Sequence, residues 1–164
     1  MYGEDGLLEC LRDRGYYVAT SVREPRDRWE SAYLFNKKKN GTHYGIPYQK
    51  GYRYFMQHFP PCALYEYYDG DSAKCRQHPI EDRIKPIVAR YDEIIDLYDD
   101  TEPRGQLARI ISKYIHEKNK SPRPDDGFRE PFDTARLNNE TMLYEALKRR
   151  REEILEEGQA PLCE

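Results

Sequence analysis

The chain has 164 residues, of which 27 are Lys or Arg and 30 are Asp or Glu, so the formal net charge is −3. This near-balance argues against a nucleic-acid binder that relies on an overall positive field, although a local basic patch would be compatible with it. Hydrophobic residues make up 38% of the chain, and that count includes 15 tyrosines, so amphipathic rings supply much of the core. No apolar run approaches the roughly 18 residues of a membrane span, and no signal peptide opens the chain. The length predicts one domain over residues 1–164.

The first quarter of the chain alternates between helical and strand patterns. Residues 6–14 carry leucines on one helical face, and Gly15 ends this helix. Residues 16–22 are uncharged, β-branched and aromatic, which predicts a buried strand. Pro25 then begins a helix that runs to about Lys38, because proline suits the first position of a helix.

The middle of the chain is rich in Lys, Tyr and Pro. The run Lys37-Lys38-Lys39-Asn40-Gly41 is interpreted as a solvated helix end, with a basic patch as the alternative. Residues 41–61 are predicted to be irregular or to form a short helix, and residues 62–78 to form a loop. Residues 79–91 follow a helical pattern, in which Pro86 predicts a kink.

The last part of the chain again places a strand before helices. Residues 93–98 form the second strand candidate, and a helix is expected after Pro103. Residues 116–136 are predicted to be a loop, and Asn138 or Asn139 to cap a final helix through Leu155. The apolar stripe of the helix after Pro103 consists of Leu107, Ile110, Ile111, Tyr114 and Ile115. The charged run of the final helix, Lys148 to Glu153, is expected to be a solvated face. The order strand, helix, strand, helix predicts an α/β fold with a small parallel sheet flanked by helices.

Four cysteines are present, and two of them, Cys62 and Cys75, bracket a stretch rich in Tyr, Asp and Gly. The chain contains no CxxC pair, which argues against a structural zinc site. Spacing alone leaves two readings open, a disulfide across the loop or unpaired buried thiols. The sequons at Asn40 and Asn139 are compatible with glycosylation, but Asn139 is equally well explained as a helix cap.

The segment that follows the first strand carries a candidate phosphate site. Arg23 lies where the strand ends, and in open α/β sheets ligands bind at the carboxyl ends of strands. Ser31 lies eight residues later, about 9 Å along a helix that begins at Pro25. Arg23 could therefore bind a phosphate through its guanidinium fork while Ser31 donates a hydroxyl. The alternative is that Arg23 pairs with a carboxylate and Ser31 only caps or packs.

The stretch from Val22 to Tyr33 reads Val-Arg-Glu-Pro-Arg-Asp-Arg-Trp-Glu-Ser-Ala-Tyr. It resembles the 3′-phosphate-binding segment of the sulfotransferases that use 3′-phosphoadenosine 5′-phosphosulfate (PAPS). Later segments are similar, in the same order, to parts of the Golgi carbohydrate sulfotransferases of the glycosaminoglycan type. These are residues 91–102 (strand, then Thr-Glu), Asn119-Lys120-Ser121, and residues 137–144.

This resemblance implies a partial P-loop-NTPase-like sulfotransferase fold and transfer of sulfate from PAPS to a hydroxyl of a carbohydrate acceptor, without a metal. It assigns the cofactor contacts to Arg23, Ser31, Lys120, Ser121 and Arg123. It also pairs Cys62 with Cys75, as in the loop disulfide of the uronyl 2-O branch, and implies a location in the Golgi lumen or secretory pathway.

One part of the family pattern is missing. The family opens with a Gly-Lys-Ser/Thr-type loop that holds the 5′-phosphosulfate, and the 22 residues before Arg23 contain neither that loop nor a histidine. The chain is therefore expected to be the C-terminal portion of such a fold. Its catalytic base is unassigned. The only histidines are His43, His58, His78 and His116, and His43 and His58, which fall in the region that the family places near the acceptor cleft, are interpreted as ordinary surface residues. The alternative function is a non-catalytic nucleotide-binding or protein-interaction module derived from the same fold.

Overall fold

The computed structural model describes residues 14–61, 63, 80–99, 106–118 and 133–157. Within these ranges the fold is α/β, with a two-stranded parallel sheet and mostly helices around it. Short 3₁₀ helices cover Tyr48–Lys50 and Thr134–Leu137. The strands and α-helices are β1 (Ala19–Val22), α1 (Pro25–Lys39), β2 (Thr42–His43), β3 (Ile46–Pro47), α2 (Tyr52–His58), α3 (Ile80–Val88), β4 (Glu93–Asp96), α4 (Gln106–Lys118) and α5 (Asn138–Glu157).

The two strands predicted from the sequence form the parallel sheet. Strand β1 pairs with β4 in the register Ala19 to Glu93 through Val22 to Asp96. All four residues of β4 are buried, whereas burial alternates along β1. The α/β class and the parallel pairing are thus confirmed, although both strands are shorter than the patterns that predicted them.

Helix α1 begins at Pro25, as its sequence predicts. Glu24 caps the helix, because its side chain accepts a hydrogen bond from the backbone N–H of Asp27 at 2.8 Å. The helix ends at Asn40, which adopts the left-handed conformation with φ of 53° and bonds back to the last helical carbonyls. The buried face of the helix carries Trp29 and Tyr33, which pack in the aromatic core described below.

Two hydrophobic clusters form the interior of the described residues. The aliphatic cluster packs around the sheet, α3 and α5, and the aromatic cluster packs between α1, the β2–β3 hairpin and α2. The aliphatic cluster contains Val18, Val22, Ile87, Tyr91, Ile94, Leu143, Tyr144 and Leu147, and the aromatic cluster contains Trp29, Tyr33, Ile46, Tyr52, Phe55, Met56, Phe59, Ala63 and Leu137.

The region 41–61 is more regular than its sequence suggested. Strands β2 and β3 form an antiparallel hairpin whose turn residues Tyr44 and Gly45 both have positive φ, 50° and 73°. Positive φ at both central residues is the type I′ arrangement that matches the twist of a hairpin. The sequence prediction allowed a short helix here, which is α2, but missed the hairpin because a tyrosine rarely occupies the left-handed region.

Helix α4 contradicts the sequence prediction of its buried face. Ile110 and Tyr114 from the apolar stripe are 59% and 60% exposed, whereas Ala108 and Ser112 are buried. The buried face is therefore rotated by roughly one residue position, about 100°, from the predicted one. The predicted loop from residue 116 is also corrected, since α4 continues to Lys118.

Helix α5 connects the two clusters. Its predicted inward leucines, Leu143 and Leu147, are fully buried in the aliphatic cluster. The 3₁₀ helix just before it contributes Leu137 to the aromatic cluster. Arg136 fastens that turn to α2, because its guanidinium donates to the backbone carbonyls of Gln57 and Phe59.

Candidate functional site at the carboxyl edge of the sheet

Strands β1 and β4 are parallel, so the residues that follow each strand meet at one edge of the sheet. Arg23 follows β1, and Tyr98 lies two residues beyond β4. The Nε of Arg23 donates to the Tyr98 hydroxyl at 2.7 Å, and its guanidinium carbon lies 5.7 Å from the centre of the same ring. Arg23 is thus held by a tyrosine 75 residues away, and no carboxylate among the described residues is bonded to its guanidinium.

The Tyr98 hydroxyl also contacts helix α1. Burial, followed by the hydrogen bond to Asp27, raises the pKa of Tyr98 to about 12, while Arg23 acts in the opposite direction. Asp27 and Ser31 are four residues apart in α1, so they occupy the same helical face one turn apart. A chain of contacts from Arg23 through Tyr98 and Asp27 therefore leads to the face that carries Ser31.

The two predicted phosphate contacts both retain hydrogen-bonding capacity. Arg23 is half-buried, and the described residues give its two terminal nitrogens no partner. Ser31 is half-buried in the second turn of α1, and its hydroxyl likewise has no partner within the described ranges. A guanidinium whose Nε is fixed and whose two terminal nitrogens are available can donate hydrogen bonds to two oxygens of one anion.

A cavity of about 400 Å³ opens at the same edge of the sheet. Its walls come from the residues after β1, the residues after β4, and one face of α5. They combine four carboxylates, two cations and two tyrosines: Glu24, Asp96, Asp99, Glu152, Lys148, Arg151, Tyr98 and Tyr144.

The charged run of α5 is only partly the solvated face that its sequence predicts. Arg150 pairs with the exposed carboxylates of Glu153 and Glu157. Arg151 instead is buried, and its Nη1 lies 2.6 Å from Asp99. Sequence reasoning missed Arg151 because a run of like charges carries no sign of which member faces inward. The i, i+4 spacing from Leu147 is the signal that could have found it.

The remaining predicted site residues fall outside the described ranges. This holds for the proposed cofactor contacts Lys120, Ser121 and Arg123, and for the disulfide candidates Cys62 and Cys75. His43 stacks on Phe59, and the His58 Nδ1 lies 2.8 Å from the Tyr54 carbonyl, so both rings have structural contacts.

Comparisons with protein-family models, with curated proteins and with solved structures gave no match to this chain. Across the described ranges, no group of three or more His, Cys, Asp or Glu side chains is arranged to hold a metal ion. The same ranges contain no helix with the length and apolarity needed to cross a bilayer.

Proposed function

We propose that the chain binds the 3′-phosphate of PAPS as part of a sulfotransferase that acts on a carbohydrate hydroxyl. In that reaction the acceptor oxygen forms a bond to sulfur, the bond between sulfur and the 5′-phosphate oxygen breaks, and a base takes the acceptor proton. The contribution assigned to this chain is to hold and orient the nucleotide through Arg23 and Ser31.

The observation that carries this proposal is the open fork of Arg23 at the carboxyl end of a parallel strand. Its Nε bond to Tyr98 fixes the plane of the guanidinium, so little side-chain entropy is lost when an anion binds. The amide of Asp27 is already bonded to Glu24, so the proposed phosphate contacts are the side chains of Arg23 and Ser31 and not this amide.

The carboxylates near Arg23 would repel a phosphate unless their charge is offset. Asp27 is hydrogen-bonded to the Tyr98 hydroxyl, and Glu24 accepts the Asp27 amide at the positive end of the α1 dipole. Asp99 forms its ion pair with Arg151. Each of these three carboxylates therefore has a bonding partner other than Arg23.

A basic surface at the other end of α1 favours an acidic carbohydrate as the acceptor. Residues 31–65 contain none of the 30 acidic residues of the chain and five of its 27 basic residues. The five are exposed, and no ion pair joins any of them to a described residue: Lys37, Lys38, Lys39, Lys50 and Arg53. Such a surface attracts a polyanion electrostatically. This supports the basic-patch interpretation of the lysine run alongside its role as a helix end.

Calorimetry with 3′-phosphoadenosine 5′-phosphate tests the proposal directly. Adenosine 5′-phosphate, which lacks the 3′-phosphate, is the matched ligand. Arg23→Ala should weaken binding of the bisphosphate about 10- to 100-fold, because charged hydrogen bonds contribute about 1.5–3 kcal/mol. Ser31→Ala should weaken it about 2- to 10-fold, and Arg149→Ala, which removes an exposed arginine of α5 outside both proposed sites, should leave it unchanged.

Equal affinity of wild type and Arg23→Ala for the bisphosphate would contradict the proposal. So would equal affinity of the wild-type chain for the two nucleotides, because the 3′-phosphate would then contribute nothing. If the bisphosphate binds as expected but labelled sulfate is transferred to no glycan, the chain is a non-catalytic nucleotide-binding module, which is the alternative function.

A further inference from the structure

Two buried polar side chains in the cavity at the sheet edge have unused hydrogen-bonding capacity. Asp96 is 5% exposed, and its Oδ1 accepts the backbone N–H of Tyr98 at 3.0 Å. Its Oδ2 receives no hydrogen bond from any described residue. Tyr144 is 8% exposed, and the described ranges likewise offer its hydroxyl no partner.

Both side chains line the same cavity, so a molecule inside the cavity can supply their remaining hydrogen bonds. Neither oxygen is sealed from the cavity, so a water molecule or a ligand inside it can satisfy each of them. Burial and the nearby Asp96 charge raise the pKa of Tyr144, which keeps its hydroxyl protonated beside the carboxylate. A ligand that brings hydrogen-bond donors would satisfy Asp96 Oδ2 and the acceptor side of the Tyr144 hydroxyl at once.

The charge of the cavity selects the kind of donor. Its walls carry four carboxylates against the two cations Lys148 and Arg151, and Arg151 is already paired with Asp99. The Lys148 ammonium lies over the Tyr144 ring, 5.4 Å from its centre, and has no carboxylate partner among the described residues. The net charge of these walls is −2, which repels anions and attracts a ligand with two positive charges.

We propose that this cavity is a binding site for a small organic diamine. One ammonium group donates to Asp96 Oδ2 and the Tyr144 hydroxyl, and the other pairs with a rim carboxylate such as Glu152. An organic cation fits better than a metal ion, because no metal-holding group of His, Cys, Asp or Glu occurs in the described ranges. A volume of about 400 Å³ lies at the lower end of the range for small-molecule sites.

The site is separate from the one proposed for the nucleotide phosphate. Arg23 does not line the cavity, and the acidic walls disfavour a phosphate inside it. The two proposals are therefore tested with ligands of opposite charge, and either can fail without the other.

Calorimetry at low salt with 1,4-diaminobutane tests the diamine site. The uncharged 1,4-butanediol and magnesium chloride are the comparison ligands. The diamine should bind, and Asp96→Asn should weaken binding at least tenfold. Tyr144→Phe, which keeps the ring that packs in the aliphatic cluster, should weaken it about 2- to 5-fold. Glu156→Gln, an exposed carboxylate of α5 outside the cavity, is the control and should have no effect.

Four results would overturn the proposal. No heat of binding for the diamine at millimolar concentration would exclude the site. Binding of the diol as tight as that of the diamine would show a polyol pocket in place of a cation site. A loss in Glu156→Gln equal to that in Asp96→Asn would show bulk attraction by the whole acidic surface. If circular dichroism shows that Asp96→Asn does not fold, an unchanged affinity in folded Tyr144→Phe would contradict the proposal.

Discussion

The aliphatic and aromatic clusters differ in both packing chemistry and surface charge. The aliphatic cluster is built on a parallel strand pair whose β4 residues are all buried, and the cavity at its edge is lined by four carboxylates. The aromatic cluster is built mainly from side chains of two helices and a hairpin, and seven of its nine members lie in the acid-free segment 31–65. A chain with a net charge of only −3 thus separates an acidic edge from a basic surface. Near-neutral composition therefore does not imply a uniformly neutral surface.

A buried hydrogen bond joins the two regions. The Nε1 of Trp29, in the aromatic cluster, donates to Oε2 of Glu140 on α5 at 2.8 Å. Both side chains are completely buried. Because α5 also carries Leu143 and Leu147 into the aliphatic cluster, this bond ties the orientation of α1 to that of the sheet.

Removing Trp29 should have the largest effect on stability. Trp29→Ala deletes a fully buried ring and should lower the free energy of unfolding by about 3–5 kcal/mol. Trp29→Phe keeps most of the ring volume but removes the indole N–H that donates to Glu140, at a cost of about 1–3 kcal/mol. Urea denaturation monitored by circular dichroism measures both. A Trp29→Phe variant as stable as wild type would show that the link between the clusters contributes nothing.

Truncating a side chain of the aliphatic cluster should also destabilise the aromatic cluster. Leu147→Ala should lower the free energy of unfolding by about 2–5 kcal/mol. The chain has a single tryptophan, Trp29, so its fluorescence reports unfolding of the aromatic cluster alone. We expect the fluorescence and circular dichroism transitions of Leu147→Ala to shift together. Separate midpoints would show that the clusters unfold independently.

High pH should destabilise both regions through one tyrosine in each. Burial, then a hydrogen bond to a carboxylate, raises the pKa of Tyr52 and of Tyr98 from 10.0 to about 12. A raised pKa in the folded state contributes stability that is fully present below pH 10 and is lost as the pH rises through about 12. Tyr52→Phe and Tyr98→Phe should each flatten the fall of unfolding free energy above pH 10. If the unfolding free energy of either variant falls above pH 10 as steeply as that of wild type, ionisation of that tyrosine does not contribute to the loss of stability.

The smallest effect is expected on the solvated face of α5. Arg150 pairs with Glu153 at 3.1 Å and with Glu157 at 3.0 Å, and both carboxylates are exposed. Arg150→Ala should therefore change the unfolding free energy by less than about 1 kcal/mol. Arg151→Ala, one residue along, removes the partner of Asp99 from a buried position and should cost more. Equal costs for the two would contradict the different roles of these neighbours.

Local sequence patterns predicted the features that depend on short-range chemistry. Pro25 marks the start of α1 because its fixed φ suits the first turn and it lacks a donor there. The uncharged, β-branched segment before Arg23 forms β1, and Leu143 and Leu147 mark the inner face of α5. Each of these outcomes follows from residues within one or two turns of each other.

Only the tertiary structure decided which charges meet at the site. Arg23 meets Tyr98 across 75 residues, and Arg151 meets Asp99 across 52, and no local pattern encodes either pair. The same holds for α4, whose buried face follows the small residues Ala108 and Ser112 and not the more apolar stripe. The sequence by itself determined where β1, α1 and α5 form, because their signals are local. Which side chains share a cavity depends on how distant elements pack, and only the folded chain specifies this.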